Sequence, residues 1–154
     1  MAELHVLVGV PGCGKSTWAA TQKNKVIVSR DEIRFSLLNA DNSYFDKEKK
    51  VFKTYAETIK KELELGHSVI ADATHIDSKS RAKLINAIGV IPNVELIFDV
   101  FTTPLQTCII RNGLRTGIRK VPTKVIEDMF IRIELPTTEE VITYRYPNWR
   151  IEYK

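Results

Sequence analysis

Residues 9–17 read GVPGCGKST, a complete GxxxxGK[ST] phosphate-binding loop. The run LHVLVGV, residues 4–10, enters it as a buried parallel strand would, and TWAATQ leaves it as the opening of a helix. A loop of this kind works only between such a strand and such a helix, so the motif and its flanks together demand an α/β fold. Gly9, Gly12 and Gly14 allow backbone conformations closed to other residues, which turns successive N–H groups inward around phosphate oxygens. Pro11 and Cys13 fill the free positions of the motif, Cys13 as a small spacer. Lys15 is placed to reach the β- and γ-phosphates of a nucleoside triphosphate such as ATP. Ser16 offers a hydroxyl to Mg²⁺, and Thr17 follows at the start of the helix, whose dipole favours an anion.

At 154 residues and 44% hydrophobic, the chain suffices for one well-filled core and is short for two ordinary domains. It has no apolar run of 18 residues and no charged leader, so a soluble protein with no membrane partner and a cytoplasmic location is expected. Two cysteines, one of them inside the phosphate loop, make a disulfide scaffold implausible and fit a reducing compartment. His5, His67 and His75 have no metal-ligand spacing, which excludes a zinc site.

The net charge of +4 is less informative than its distribution. No acidic residue occurs from Val100 to Ile126, whereas Arg111, Arg115, Arg119, Lys120 and Lys124 crowd into this stretch. The segment RNGLRTGIRKVP also carries Gly113, Gly117 and Pro122, which suit a lid at about 111–122 facing phosphate better than a regular helix.

Elsewhere strand and helix patterns alternate. Strands are expected at 4–9, 25–29, 68–72 and 94–101, with a weak fifth within 141–153; helices at 15–22, 32–39, 47–65, 78–88, 104–112 and 123–134. Val51, Phe52, Tyr55, Ile59 and Leu63 form an apolar stripe at helical spacing, stopped by Gly66. Asp77 and Gly89 bracket the next helix. This order implies one domain: a parallel sheet of four to five strands with helices on both faces, and a ligand site at the carboxyl ends of the strands.

The residues that follow those strands are chemical ones. SRDEIR, 29–34, follows the second strand and ADATHID, 71–77, the third. A kinase needs a carboxylate to take the acceptor's proton, and Asp31 is the candidate, with Arg34 one helical turn away. Asp31 would serve equally as the N-cap of its helix, a role that Ser29 can also fill. Asp72 closes an apolar strand where it can support Mg²⁺ or act as a turn residue; Asp72 and Thr74 are placed on the substrate side. Phe35, Tyr44 and Phe45 lie near the acceptor and could stack on a base, whereas Tyr144, Tyr146, Trp149 and Tyr153 read as an edge strand packing on the core.

GVPGCGKST, SRDEIR, IADAT with Arg81 downstream, RNGLR followed by KVP, and IRIELPTTEE together resemble the P-loop kinases of the polynucleotide 5′-kinase type, in particular the kinase domain of phage end-healing kinase–phosphatases. The resemblance runs over nearly the whole chain in the same motif order. It implies an ATP- and Mg²⁺-dependent phosphotransferase acting on the 5′-hydroxyl ends of DNA or RNA. By that resemblance Asp31 is the general base, Arg34 contacts the acceptor's phosphate, and Asp72 matches the strand-three aspartate. Arg115 stabilises the migrating phosphoryl group, with Arg111 a second donor and Arg119 and Lys120 as alternatives within one turn. His75 stands where the family often has asparagine, and no DxDGT phosphatase motif is present, so 3′-phosphatase activity is not expected. The same broad family includes kinases of nucleosides and sugars; a small-molecule acceptor is the nearer rival and a non-catalytic nucleotide-binding module the further one.

Overall fold

The computed structural model describes all 154 residues and alternates as the sequence patterns require. Strands β1 (Ala2–Val8), β2 (Lys25–Ser29), β3 (Ser68–Asp72), β4 (Val94–Val100) and β5 (Trp149–Tyr153) form one sheet in the order β2-β3-β1-β4-β5. Every pairing is parallel, with Leu4 opposite both Val69 and Leu96. Between the strands run α1 (Lys15–Ala20), α2 (Arg30–Leu37), α3 (Glu48–Glu64), α4 (Ser78–Ile88), α5 (Leu105–Gly113), α6 (Thr123–Arg132) and α7 (Thr138–Ile142). The chain leaves β1 toward β2 in one direction and reaches β4 in the other. The crevice this creates lies at the carboxyl end of β1, where the phosphate loop sits.

Most boundaries lie within two residues of those read from sequence. Helix α2 starts at Arg30 rather than at residue 32, because the Ser29 hydroxyl accepts the Glu32 N–H at 3.2 Å and so caps the helix earlier. Asp77 caps α4 by accepting from the Ser80 N–H at 2.8 Å, and Gly89 ends it with φ of 78°. The stretch 141–153 is both helix and strand: α7 is a five-residue helix capped by Thr137, and only 149–153 pair with β4.

The two faces of the sheet differ. On one, Leu4, Val6, Val8, Val69, Ala71, Leu96 and Phe98 meet Tyr55, Ile59 and Leu63 of α3 and Leu84, Ile85 and Ile88 of α4. Tyr144 and Tyr146 are buried in this same core, as expected of packing aromatics. On the other face α1 covers Leu7 and Ile70 with Trp18 and Ala19. The same face also carries a ladder of charges. It runs from Lys25 through Glu3, His5 and Asp99 to Lys154, Glu152, Arg150 and Glu95. Asp99 is fully buried, with His5 at 2.6 Å and Lys154 at 2.8 Å. No helix is long and apolar enough to cross a membrane.

Candidate active site

Gly12 and Gly14 hold φ of 84° and 100°, which lets the phosphate loop turn back on itself. A Cβ on Gly12 would lie 2.3 Å from the Cys108 carbonyl oxygen, so α5 presses directly on the loop backbone. Two further bonds fix the loop: the Gly9 N–H donates to the Thr74 carbonyl at 2.9 Å, and the Thr103 hydroxyl donates to the Cys13 carbonyl at 2.7 Å. Thr74 therefore joins the end of β3 to the start of the loop through its backbone. Cys13 is buried beside Val10, Ile76, Cys108 and Ile126, as a small spacer should be. Lys15 is also buried, and its ammonium donates to the carbonyls of Gly9 at 2.8 Å and Val10 at 3.0 Å. It stands in the curl of the loop, the place from which it can turn to phosphate oxygens.

The Ser16 hydroxyl donates to Asp72 Oδ2 at 2.8 Å, bringing together the two residues assigned to Mg²⁺. Hydroxyl and carboxylate are hard oxygen donors, the set this ion prefers. No cluster of three or more metal-binding side chains surrounds them. That pairing suits an ion bound by one or two protein oxygens, with water and phosphate completing its shell. Burial pushes the Asp72 carboxyl above its usual range, against the opposing pull of the Ser16 hydroxyl and the Lys15 charge. The charge of Asp31 also pushes the Asp72 carboxyl up and that of Arg115 draws it down.

Asp31 enters this site because Ser29 is directly opposite Asp72 in the β2–β3 pairing, so α2 begins at the mouth of the phosphate loop. Ser29, not Asp31, supplies the side-chain cap of α2. The Asp31 side chain is 59% exposed, and its Oδ1 accepts from the Tyr44 hydroxyl at 2.9 Å and from Arg34 Nη1. Arg34, in contrast, is buried. Its Nε and Nη2 fork onto the Glu48 carboxylate at 3.0 and 2.7 Å, Nη1 donates to the Tyr44 hydroxyl at 2.8 Å, and the guanidinium lies 4.4 Å from the Tyr44 ring centroid. Arg30 adds a bond to Glu48 at 2.6 Å. Burial raises the Glu48 carboxyl, but the bonds and charges of Arg34 and Arg30 outweigh it and hold the group below its ordinary value.

Glu48 was not singled out in the sequence, although it carries a signal. It lies three and four residues before Val51 and Phe52, on the apolar face of α3, where an unpaired carboxylate would be costly. Arg81 is a similar case on α4: fully buried, it forks onto Glu140 at 2.8 and 2.7 Å and donates to the His75 carbonyl at 2.8 Å. This pair joins two of the sequence motifs and fastens α7 to α4. His75 is held at φ 42°, and its Nδ1 is 2.6 Å from the Leu7 carbonyl. A carbonyl only accepts, so Nδ1 carries the proton and Nε2 accepts from the Tyr55 hydroxyl at 3.2 Å. Burial lowers the His75 pKa to about 3.

The basic segment divides by position. Arg111 and Gly113 belong to the last turn of α5, so the non-helical stretch is 114–122, with a single 3₁₀ turn at Gly117–Arg119. Arg111 lies over the phosphate loop, its Nη1 3.2 Å from where a Cβ on Gly14 would stand. Arg119 turns away to α2, pairing with Glu32 at 2.6 Å and lying 5.0 Å from the Phe35 ring centroid. Asn112, buried and unsuspected in the sequence, clips the far end of the stretch. Its amide donates to the Val121 carbonyl at 2.6 Å and accepts the Val121 N–H at 3.0 Å.

Residues 4–136 match the AAA domain family. A protein of Autographa californica nuclear polyhedrosis virus named for two activities, polynucleotide kinase and RNA ligase, is 27% identical over 74% of this chain and 18% of its own length. A chain in the structure of the Pnkp1/Rnl/Hen1 RNA repair complex superposes with a TM-score of 0.71 at 27% identity, over 85% of this chain and 43% of that one. A sugar kinase from Janibacter sp. HTCC2649 shares the fold at 17% identity, with a TM-score of 0.65 over 99% of this chain and 86% of that one. The chain thus spans less than half the length of the viral protein and of the RNA repair complex chain that it matches. With the phosphate loop, the parallel sheet and the matched residues in agreement, the chain belongs to the AAA domain family and has a P-loop kinase fold, similar in sequence to part of a protein named for polynucleotide kinase and RNA ligase activities.

Proposed function

We propose that this domain transfers the γ-phosphate of ATP to the 5′-hydroxyl of a nucleic-acid end. The observation that carries the reading is Asp31. It is relieved of capping by Ser29, held by Tyr44 and Arg34, and stands two residues after Ser29, which the β2–β3 pairing sets opposite Asp72. A plain nucleotide-binding switch has no use for a carboxylate so braced.

In this reading the loop N–H groups and Lys15 hold the donor phosphates, Lys15 exchanging its bonds to Gly9 and Val10 for phosphate oxygens. Ser16 and Asp72 would hold Mg²⁺, which would supply charge neutralisation to the donor phosphates. Asp31 accepts the proton of the attacking hydroxyl as its oxygen bonds to the γ-phosphorus and the bond to the bridging β–γ oxygen breaks. Arg34 faces the phosphate 3′ to the attacked nucleoside, and Arg111 with Arg115 covers the transferred group from the donor side. Closure of 114–122 over α2 would keep water from the γ-phosphate.

Labelled γ-phosphate transfer tests the acceptor directly. DNA and RNA oligonucleotides with 5′-hydroxyl ends should be labelled, and the same oligonucleotides with 5′-phosphates should not. Labelling of nucleosides or hexoses in preference to oligonucleotides would move the acceptor to small molecules.

A further inference from the structure

We propose that Phe45 is a stacking surface for the nucleobase beside the acceptor hydroxyl, so that the site reads a nucleic-acid end by its base as well as its phosphate. The inference rests on the kinase reading above. Residues 38–47, between α2 and α3, are irregular but held by their own side chains. Asn42 Oδ1 accepts the Asn39 N–H and Asn39 Oδ1 the Asp41 N–H, each at 3.0 Å. Asp46 accepts the Ser43 N–H at 2.7 Å and its hydroxyl at 2.5 Å. These turns fix the two aromatic residues between them in opposite senses.

Tyr44 turns in, committed by its hydroxyl to Asp31 and Arg34 and by its ring to the Arg34 guanidinium. Phe45 turns out and is 69% exposed, its ring meeting that of Tyr44 at 4.7 Å and 82°. The third aromatic residue on this side, Phe35, is covered by Arg119. Of the three, Phe45 alone keeps most of its ring surface open. A single exposed phenylalanine is ordinary on a protein surface. This one sits on a pinned loop, in contact with the tyrosine that touches both the base-candidate Asp31 and the phosphate-candidate Arg34. A nucleotide whose hydroxyl lies at Asp31 and whose phosphate lies at Arg34 carries its base past that tyrosine. Stacking there tolerates any base, since each has a π-face.

The test pairs two oligonucleotide acceptors, one with a normal 5′-terminal nucleoside and one with an abasic sugar bearing the same 5′-hydroxyl, against wild type, Phe45→Ala and Phe45→Trp. Wild type should lose about tenfold in kcat/KM when the base is removed. Phe45→Ala should lose a similar factor on the normal acceptor and nothing further on the abasic one, while Phe45→Trp keeps the wild-type preference. Matching thermal melts would show that this exposed position leaves the fold intact. If wild type uses both acceptors equally, no base is read and the inference fails while the kinase reading stands. If Phe45→Ala keeps the full preference, the base is read elsewhere and the inference fails. Transfer to neither acceptor by wild type overturns both readings.

Discussion

Glu48 shows how much of the proposed acceptor side depends on one side chain. It receives three bonds from two arginines, and it fixes the Arg34 guanidinium in the plane that also serves Asp31 and Tyr44. Hydrogen bonds to charged groups contribute roughly 1.5–3 kcal/mol each, so losing the charge at unchanged shape should loosen both arginines without emptying the site. Glu48→Gln is expected to raise the acceptor KM about tenfold while the ATP KM stays within twofold; steady-state kinetics with each substrate varied in turn checks this. Equal rises in both KM values would make Glu48 a general support of the fold. Asp31, Arg34, Lys15 and Ser16 were legible because each stands in a motif with its neighbours. Glu48 and Glu140 were not, because their partners lie 14 and 59 residues away on other helices and only the fold brings them together; Asn112 was not, because its partner Val121, nine residues on, lies beyond the end of its helix in a stretch without periodicity.

At the scale of elements, the sequence resolved what local periodicity and caps control. The α3 stripe and the Asp77–Gly89 bracket were readable because their determinants lie within one helix. The short α7 was hidden: its five residues hold their place through Glu140 and its bonds to Arg81 on α4, more than through any pattern of their own. The basic stretch after α5 was recognisable as single-signed, but its division of labour was not. Arg111 lies over the phosphate loop and, in the proposed reading, shares the phosphate side with Arg115, whereas Arg119 is spent on Glu32 and Phe35. Arg115→Ala should therefore lower kcat by roughly 10³-fold or more, as removal of a transition-state arginine does. Arg119→Ala should change kcat/KM by less than about tenfold, since an exposed ion pair contributes at most about 1 kcal/mol. Single-turnover rates of the two variants distinguish these roles, and a larger loss at Arg119 would reverse them.

The whole molecule is a parallel sheet with its chemistry at one end and an uneven cover on its faces. The order of strands could not be read from alternation alone, because several orders bury the same apolar runs. The charge ladder on the α1 face was equally invisible, since its members come from β1, β2, β4 and β5. His75 couples the interior to pH. Its pKa is held near 3 by burial, against 6.5 when exposed, so below about 6.5 the unfolded chain takes up a proton that the folded one refuses. Stability is thus fully present above pH 6.5 and is lost progressively as pH falls toward 3. His75→Asn keeps a side chain that tolerates positive φ, and its melting temperature should fall less than that of wild type between pH 7 and pH 5. Parallel acid dependence in the two proteins would assign the loss to other groups.

The central claim is that Asp31 takes the proton of a 5′-hydroxyl at a site where the donor phosphates are bound by other residues. The direct measurement is single-turnover transfer from ATP to a 5′-hydroxyl oligonucleotide by wild type and Asp31→Asn, with ATP affinity determined on the same preparations. Transfer should fall by about 10²–10⁴-fold in Asp31→Asn while ATP affinity stays within twofold. Loss of ATP binding along with transfer, or transfer at the wild-type rate, would contradict the account.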